Sequence, residues 1–151
     1  MASIAELMTH DHRSCDHDFA RAETLAHKKA WEAATQALEA FASGLEAHFE
    51  AEEQLLFPRF EAATGMTQGP TQVMRAEHAE MRATLALLRT ALANRDLDEF
   101  AGEGETLLIM LQQHNMKEEN ILYPMCDMHL RGERDALIEM LTTRLVPEHA
   151  A

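Results

Sequence analysis

Histidine and glutamate occur in this sequence in two copies of one pattern. The segment HFEAEEQLLFP begins at His48, and HNMKEENILYP begins 66 residues later at His114. Both fit the spacing H-x-x-x-E-E-x-x-L-aromatic-P, and the same offset relates His12 to His78. Imidazole nitrogens and carboxylate oxygens are ligands that suit iron, manganese and zinc. The repeat therefore predicts a site for two metal ions.

Helix geometry indicates which of these residues act together. Residues four apart differ by only about 40° around a helix, so His48 and Glu52 share a face, as do His114 and Glu118. A carboxylate in an apolar seam loses its solvation unless a cation pairs with it, and metal ions would satisfy all these groups together. The predicted ligands are His12, His48, Glu52, His78, His114 and Glu118. Hydrogen-bonded His–Glu pairs without metal are the alternative explanation.

The remaining histidines are expected to lie outside the site. His10 and His17 lie about 160° and 140° from His12 around the first helix, so they should face solvent or a neighbouring flank. His17 remains an alternative ligand if the register of that helix differs. Three more lie near predicted helix ends or in the tail and are interpreted as surface residues: His27, His129 and His149.

The residues that follow each glutamate are given supporting roles. Glu53 and Glu119 lie about 100° off the seam, which predicts a solvated position or a role in orienting a histidine. Phe57 and Tyr123 are interpreted as inter-helix packing, because Tyr123 lies about 180° from His114 around the helix.

Two prolines and two cysteines also lie near the candidate ligands in the sequence. Pro58 and Pro124 each follow a glutamate by six residues and should kink or loosen their helices. Cys15 and Cys126 allow one disulfide at most, and their spacing indicates no thiolate metal site. Cys15 is interpreted as a small buried apolar residue. On this interpretation, the only proton donors near the site are Cys15 and the ligands themselves.

Helices must position these side chains. Alanine, leucine, glutamate and methionine dominate while aromatic residues make up 5%, a composition that favours an all-α protein. Apolar residues spaced alternately by three and four predict an all-α four-helix bundle with a short C-terminal fifth helix. The approximate predicted ranges are Ile4–Leu25, Trp31–Ala63, Val73–Ala93, Glu99–Leu130 and Glu133–Leu145, with a loop at Thr64–Gln72.

The six candidate ligands fall within the apolar seams of these helices. The seam predicted for the second helix is Leu38, Phe41, Leu45, His48, Glu52 and Leu55. The seam predicted for the fourth helix is Leu107, Leu111, His114, Glu118, Ile121 and Met125. Polar residues thus replace core residues at regular positions, and the metal-site prediction depends on that placement.

Length and charge limit the other possibilities. A chain of 151 residues predicts one domain, with the bundle at about 4–130 and the fifth helix at about 133–145. With 26 acidic and 13 basic residues the formal charge is −13, which argues against binding nucleic acid or an anionic membrane. Neither a membrane-spanning apolar run nor a signal peptide is evident, and a reducing cytoplasm is expected.

Four motifs resemble the hemerythrin-like, or HHE cation-binding, family. They are DH at Asp11–His12, H-x-x-x-E at His48–Glu52, EH at Glu77–His78, and H-x-x-x-E-E-x-x-L-Y-P at His114–Pro124. The resemblance covers about 120 residues and implies an up-down-up-down bundle that holds two non-heme iron ions with an oxo or hydroxo bridge. It implies that the four histidines are terminal ligands and that Glu52 and Glu118 bridge the ions. Manganese and zinc are less favoured occupants.

The sequence also departs from the oxygen-carrying members of this family. Carriers place two histidines four apart on the third helix, whereas Met74 and Arg82 stand four residues from His78. Carriers also use H-x-x-x-x-D on the fourth helix, which would select Glu119 and require a π-bulge to turn it inward; Glu118 is therefore preferred. The resulting set of four histidines and two glutamates is closer to bacterial iron-sulfur repair proteins and iron-sensing domains.

Three functions follow as hypotheses. The first is a di-iron module that binds or senses oxygen or nitric oxide, with any signal passed through a partner protein. The second is a redox enzyme that reduces nitric oxide or peroxide, or an iron donor in iron-sulfur repair. The third is metal storage or a purely structural bundle. The sequence ranks binding or sensing slightly ahead of the enzyme, and storage last.

Overall fold

The computed structural model describes residues 3–147, and all the regular structure in this range is helical. The helices are α1 (Ile4–His27), α2 (Trp31–Ala51), α3 (Phe57–Thr64), α4 (Pro70–Ala93), α5 (Leu97–Lys117), α6 (Tyr123–His129) and α7 (Arg134–Arg144). A π-helical turn, Glu52–Leu56, joins α2 to α3 without a break, and a second, Glu118–Leu122, joins α5 to α6. The chain therefore forms four long helical segments and a short C-terminal helix, as predicted.

The sequence repeat is also a structural repeat. Matching elements begin 66 residues apart at Ile4 and Pro70, at Trp31 and Leu97, and at the two π-helical turns. Helix α4 begins three residues before the predicted Val73, because proline is well suited to the first position of a helix. The halves also use the same tight connection, in which Lys29 and Arg95 adopt left-handed backbone conformations with φ of 59° and 51°.

Local capping groups fix where α1 and α5 begin. The Ser3 hydroxyl accepts a hydrogen bond from the backbone N–H of Glu6, and Asp96 caps α5 in the same way. Asp127, at the other end of the chain, accepts bonds from the N–H groups of Ile4 and Ala5 at 2.8 and 3.1 Å. These hydrogen bonds connect the N-terminus of α1 to α6 and fix the position of α1 along the bundle.

Two apolar clusters occupy the ends of the bundle, and the polar cluster lies between them. Helix α1 passes from Met8 in one cluster, through His12, to Phe19 in the other. Helix α2 runs in the opposite sense, from Phe41 to the π-helical turn that contains Leu56. Helices α4 and α5 repeat this alternation, which gives the predicted up-down-up-down order. Helix α7 covers one end with Leu137, Ile138 and Leu141.

The predicted seam is wrong after Glu118, and after Glu52 the predicted Leu55 is only partly buried whereas Leu56 is fully buried. Ile121, placed in the core by α-helical spacing, is 56% exposed, whereas Leu122 is 1% exposed and Tyr123 is fully buried. In each π-helical turn the hydrogen bond spans five residues, from Phe57 N–H to the carbonyl of Glu52 and from Tyr123 N–H to that of Glu118. The extra residue in the turn advances the core positions by one.

The prolines account for the location of these turns. Pro58 and Pro124 stand at the second positions of α3 and α6, immediately after the π-helical turns. Because proline has no N–H, it cannot make the regular bond to the carbonyl four residues earlier, and its ring crowds that carbonyl. The expected loosening of both helices thus takes the form of a wide turn rather than a sharp kink.

Two further features bear on the predictions. Cys15 and Cys126 are both buried free thiols, so the allowed disulfide is not formed. Within residues 3–147, no helix combines the length and the hydropathy that crossing a lipid bilayer requires.

Candidate metal centre

All six predicted ligands meet in the middle of the bundle. His12 is 5% exposed and the other five are at most 1% exposed. They come from four helical segments: α1, α2 with its π-helical turn, α4, and α5 with its π-helical turn. Each glutamate is the first residue of a π-helical turn, so it still lies one α-helical turn after its histidine. Whether each side chain binds a metal stays a prediction.

Each of the four histidines is held by a carboxylate from a neighbouring helical segment. The Nδ1 atoms lie 2.7 or 2.8 Å from their partners: His12 from Glu119, His48 from Asp11, His78 from Glu53, and His114 from Glu77. Since an ionised carboxylate only accepts hydrogen bonds, each Nδ1 carries the hydrogen and donates it. In a neutral imidazole this tautomer leaves Nε2 with a free lone pair.

The Nε2 atoms face the oxygens of the two central glutamates. Glu52 places one oxygen 3.0 Å from His78 Nε2 and the other 3.6 Å from His48 Nε2. Glu118 places its oxygens 3.0 Å from His12 Nε2 and 3.3 Å from His114 Nε2. Each carboxylate therefore extends from the first-half histidine pair to the second-half pair, which is the arrangement expected of a bridging ligand.

Several of these buried atoms have no hydrogen-bond partner. They are Glu52 Oε1, His78 Nε2, His114 Nε2 and Glu118 Oε2. Leaving four such atoms unsatisfied in the core would be costly, because each loses its hydration without compensation. A cation that accepts electron pairs from all four would remove this cost. The donor set thus fits a metal, with nitrogen and oxygen ligands of the kind that iron binds.

The ligand atoms separate into two overlapping groups among the described residues. Glu52, His78, His114 and Glu118 offer atoms within 4.8 Å of one another, and so do His12, His48 and Glu118. One group thus takes its histidines from α4 and α5, and the other from α1 and α2. Glu118 belongs to both groups, which supports a shared carboxylate.

The interpretation of Tyr123 as inter-helix packing is wrong. Its hydroxyl lies 2.7 Å from Glu52 Oε2 and 2.8 Å from Glu118 Oε1. It also lies 3.1 Å from His12 Nε2 and 3.2 Å from His48 Nε2. The expectation that only Cys15 and the ligands could supply protons near the site fails for the same reason. The angle from His114 was judged for a regular α-helix, and the π-helical turn rotates Tyr123 into the centre.

Phe57, at the repeat-related position, keeps its predicted packing role. Its ring lies 5.9 Å from the ring of His78, and Phe49 stacks on the same imidazole at 3.9 Å with an interplanar angle of 15°. These aromatic side chains restrict the orientation of His78 and exclude water from its face. At this repeat position the two halves of the site differ by one hydroxyl, which is present on Tyr123 and absent from Phe57.

Basic side chains form ion pairs with two of the four carboxylates that accept hydrogen bonds from the histidines. Arg82 donates to both oxygens of Glu53 at 2.9 and 3.0 Å, and Lys117 pairs with Glu77. Burial opposes ionisation of Glu53 and Glu77, but the hydrogen bonds from these cations and from the histidines outweigh it and lower the pKa of each carboxyl. Both therefore remain charged acceptors for their histidines, which strengthens the imidazole as a ligand.

The inner groups influence each other in the same way. Burial by itself would lower the pKa of His48, but the charge of Glu52 and the hydrogen bond to Asp11 raise it well above its ordinary value. Burial would raise the pKa of Glu52, but His48 and the other hydrogen bonds to the carboxylate lower it well below its ordinary value. The buried carboxylate is held ionised and offers its negative charge to a cation.

The predictions for the other charged residues are largely confirmed. Glu53 and Glu119 orient His78 and His12, the second of the two roles considered for them. Asp11 and Glu77 were identified only as neighbours of histidines, although their position immediately before His12 and His78 was an available signal. The exposed histidines are His10, His17, His27 and His129, while His149 lies outside the described residues.

Comparison with known proteins identifies the family. The family model described as hemerythrin HHE cation binding domain matches residues 3–126, which includes all six central residues and their four carboxylate partners. Comparison with curated proteins and with solved structures gives no match. The family match and the buried cluster together indicate a metal-binding protein with iron as the expected metal. The chain belongs to the hemerythrin HHE cation-binding domain family.

Proposed function

We propose that the protein holds two iron ions at this site and uses them to bind or sense oxygen or nitric oxide. His12 and His48 hold one ion, His78 and His114 hold the other, and Glu52 and Glu118 bridge them. An oxo or hydroxo group would complete the bridge. Any signal passes to a partner protein of the cytoplasm, where the low redox potential keeps the ions ferrous.

The observation that carries this proposal is the set of four carboxylate–histidine contacts at 2.7 or 2.8 Å. Histidines that bind metals usually donate their second ring N–H to such an acceptor, because the contact fixes the tautomer and strengthens the ligand. A purely structural bundle has no need to hold four inward lone pairs in one place. The contacts therefore favour a metal centre over hydrogen-bonded His–Glu pairs without metal.

The residues around the ions set what can reach them. With iron bound, the site would supply electrons to a diatomic ligand. The rings of Phe49 and Phe57 pack against His78. Two apolar clusters fill the bundle on either side of the site. Small uncharged molecules enter such surroundings at lower cost than ions do.

A redox enzyme is the second candidate, and Tyr123 favours it. The sequence argument against catalysis was the lack of a proton donor, whereas the Tyr123 hydroxyl contacts both central carboxylates. Burial and the charges of Glu118 and Glu52 raise the pKa of Tyr123 well above its ordinary value, so the phenol keeps its proton when no cation is bound. Reduction of nitric oxide or peroxide would require such protic groups.

The test is a spectroscopic titration of the reduced protein. The chain is loaded with ferrous iron under anaerobic conditions, its iron content is measured, and the visible spectrum is followed as oxygen or nitric oxide is admitted and then purged. Glu52→Ala, which lacks one bridging carboxylate, is prepared in parallel as the control. We expect two iron ions per chain and a spectral change that fades on purging, with both features lost in the control.

Other outcomes separate the candidates. Permanent conversion to a ferric spectrum, with repeated consumption of nitric oxide or peroxide, would establish the enzyme instead of the binding protein. A wild-type chain that takes up no iron, or a Glu52→Ala variant that keeps two iron ions, would refute the proposed centre itself.

A further inference from the structure

Tyr123 occupies an unusual position relative to the two groups of ligand atoms. Its hydroxyl contacts His12 Nε2, His48 Nε2, one oxygen of Glu52 and one oxygen of Glu118. The remaining oxygens of the two glutamates are the ones with no hydrogen-bond partner, together with Nε2 of the other two histidines. The phenol oxygen therefore lies beside the His12–His48 pair, and no equivalent oxygen lies beside the His78–His114 pair.

Hydrogen bonding alone does not satisfy this arrangement. A phenol carries one hydrogen and can donate it to Glu52 or to Glu118, but not to both at once. His12 and His48 already donate from Nδ1 to Glu119 and Asp11, so a neutral ring at either position would face the phenol oxygen with a lone pair. Four acceptor atoms thus lie around a phenol that has one hydrogen, so without metal both imidazoles must take a second proton to complete the hydrogen bonds. A metal ion among these atoms would take the place of those protons.

The distances match those of neighbouring ligands on one ion. First-row metals bind imidazole nitrogen and carboxylate oxygen at about 2.0–2.2 Å, so two ligands at right angles lie about 3 Å apart. The four distances from the Tyr123 oxygen are 2.7, 2.8, 3.1 and 3.2 Å. His12 Nε2 and Glu118 Oε1 are themselves 3.0 Å apart.

We propose that Tyr123 is a metal ligand, bound through its phenol oxygen to the ion that His12 and His48 hold. The inference rests on the proposed di-iron centre and makes its two ions chemically unequal. One ion has five protein ligand atoms, whereas the His78–His114 ion has four because Phe57 carries no hydroxyl. Binding replaces the phenol O–H bond with an oxygen–metal bond, and the proton passes to the buffer.

The composition of the chain makes this testable without ambiguity, because Tyr123 is its one tyrosine. The iron-loaded protein is oxidised to the ferric state, and its visible absorption and resonance Raman spectra are recorded. We expect a tyrosinate-to-iron charge-transfer band and enhanced tyrosine ring vibrations. Growth with ring-deuterated tyrosine should shift these vibrations, and this measurement requires no substitution.

Tyr123→Phe provides the matched variant, since it removes the hydroxyl and keeps the ring that packs at this buried position. Its metal-free melting temperature checks the fold. We expect loss of the charge-transfer band and weakening of one of the two iron-binding steps. A wild-type spectrum that lacks tyrosinate features, or that Tyr123→Phe reproduces, would overturn the assignment while two bound ions still support the proposed centre. Absence of bound iron in the wild type would instead refute the centre.

Discussion

The four carboxylates behind the histidines form a closed ring around the bundle. Asp11 of α1 holds the histidine of α2, Glu53 after α2 holds that of α4, Glu77 of α4 holds that of α5, and Glu119 after α5 holds that of α1. Each helical segment thus positions a ligand on the next one. A change in any of these carboxylates should act on metal binding through its histidine.

Glu119→Gln tests this ring at the His12 position. The amide can still accept a hydrogen bond but has no charge, so His12 becomes a weaker and less firmly held ligand. We expect metal affinity to fall by about 10- to 100-fold, measured by competition with a chelator of known affinity. Glu50→Gln, which changes an exposed glutamate on α2, is the control. Equal losses in the two variants would contradict an orienting role for Glu119.

The register of α1 gives a second prediction at this scale. His12 is buried in the cluster, whereas His17 is exposed on the same helix. His12→Ala should therefore lose iron, and His17→Ala should keep two iron ions per chain, as measured by metal analysis after gel filtration. The opposite pattern would show that His17, the alternative considered from the sequence, is the ligand from α1.

Sequence reasoning considered a π-bulge only as an argument against Glu119 and so missed the two π-helical turns. Regular spacing identified the helices and the six central residues, because all six precede or begin the turns and obey α-helical periodicity. Beyond Glu118 the same spacing selects Ile121 instead of Leu122 and places Tyr123 on the outside. A single sequence contains no direct signal for a hydrogen bond that spans five residues. The proline that follows each turn indicates an irregular helix, but it does not indicate in which direction the later side chains are rotated.

The tight connections between helices carry a prediction about stability. Lys29 and Arg95 have φ of 59° and 51°, a conformation that costs a residue with a side chain roughly 1 kcal/mol relative to glycine. Lys29→Gly and Arg95→Gly should each raise the free energy of unfolding by up to about 1 kcal/mol. Urea titration of the metal-free protein measures this change in the free energy of unfolding.

The adjacent residue supplies the control for this prediction. Lys28 has φ of −81°, in the right-handed helical region, where glycine relieves no strain and only adds freedom to the unfolded chain. Lys28→Gly should therefore lower stability. If all three glycine variants behave alike, the left-handed conformations contribute nothing measurable.

At the scale of the whole molecule, the polar centre divides the hydrophobic core. One apolar cluster contains Phe19, Phe41 and Leu107, and the other contains Leu56, Phe60 and Leu122. Between them lie Glu52 and Glu118, two of the acidic residues that give the chain its formal charge of −13. Cations at this point would offset the repulsion in the middle of the bundle and join the two clusters.

Removal of metal should consequently destabilise the folded protein. Binding of ions to the folded state alone adds about 2.7 kcal/mol of stability at a free metal concentration 100 times the dissociation constant. We expect chelation to lower the melting temperature by several degrees in calorimetry, with metal loss checked by elemental analysis. Treating protein that is already metal-free controls for effects of the chelator. An identical melting curve after confirmed metal loss would mean that the ions do not stabilise the fold.

The two π-helical turns also determine how alike the two halves of the bundle are. Both halves carry the same one-residue excess at the same repeat position, Glu52–Leu56 and Glu118–Leu122. The turns therefore place Phe57 and Tyr123 at equivalent buried positions. A backbone that repeats this closely still presents two chemically different positions, because one of these aromatic residues carries a hydroxyl and the other does not.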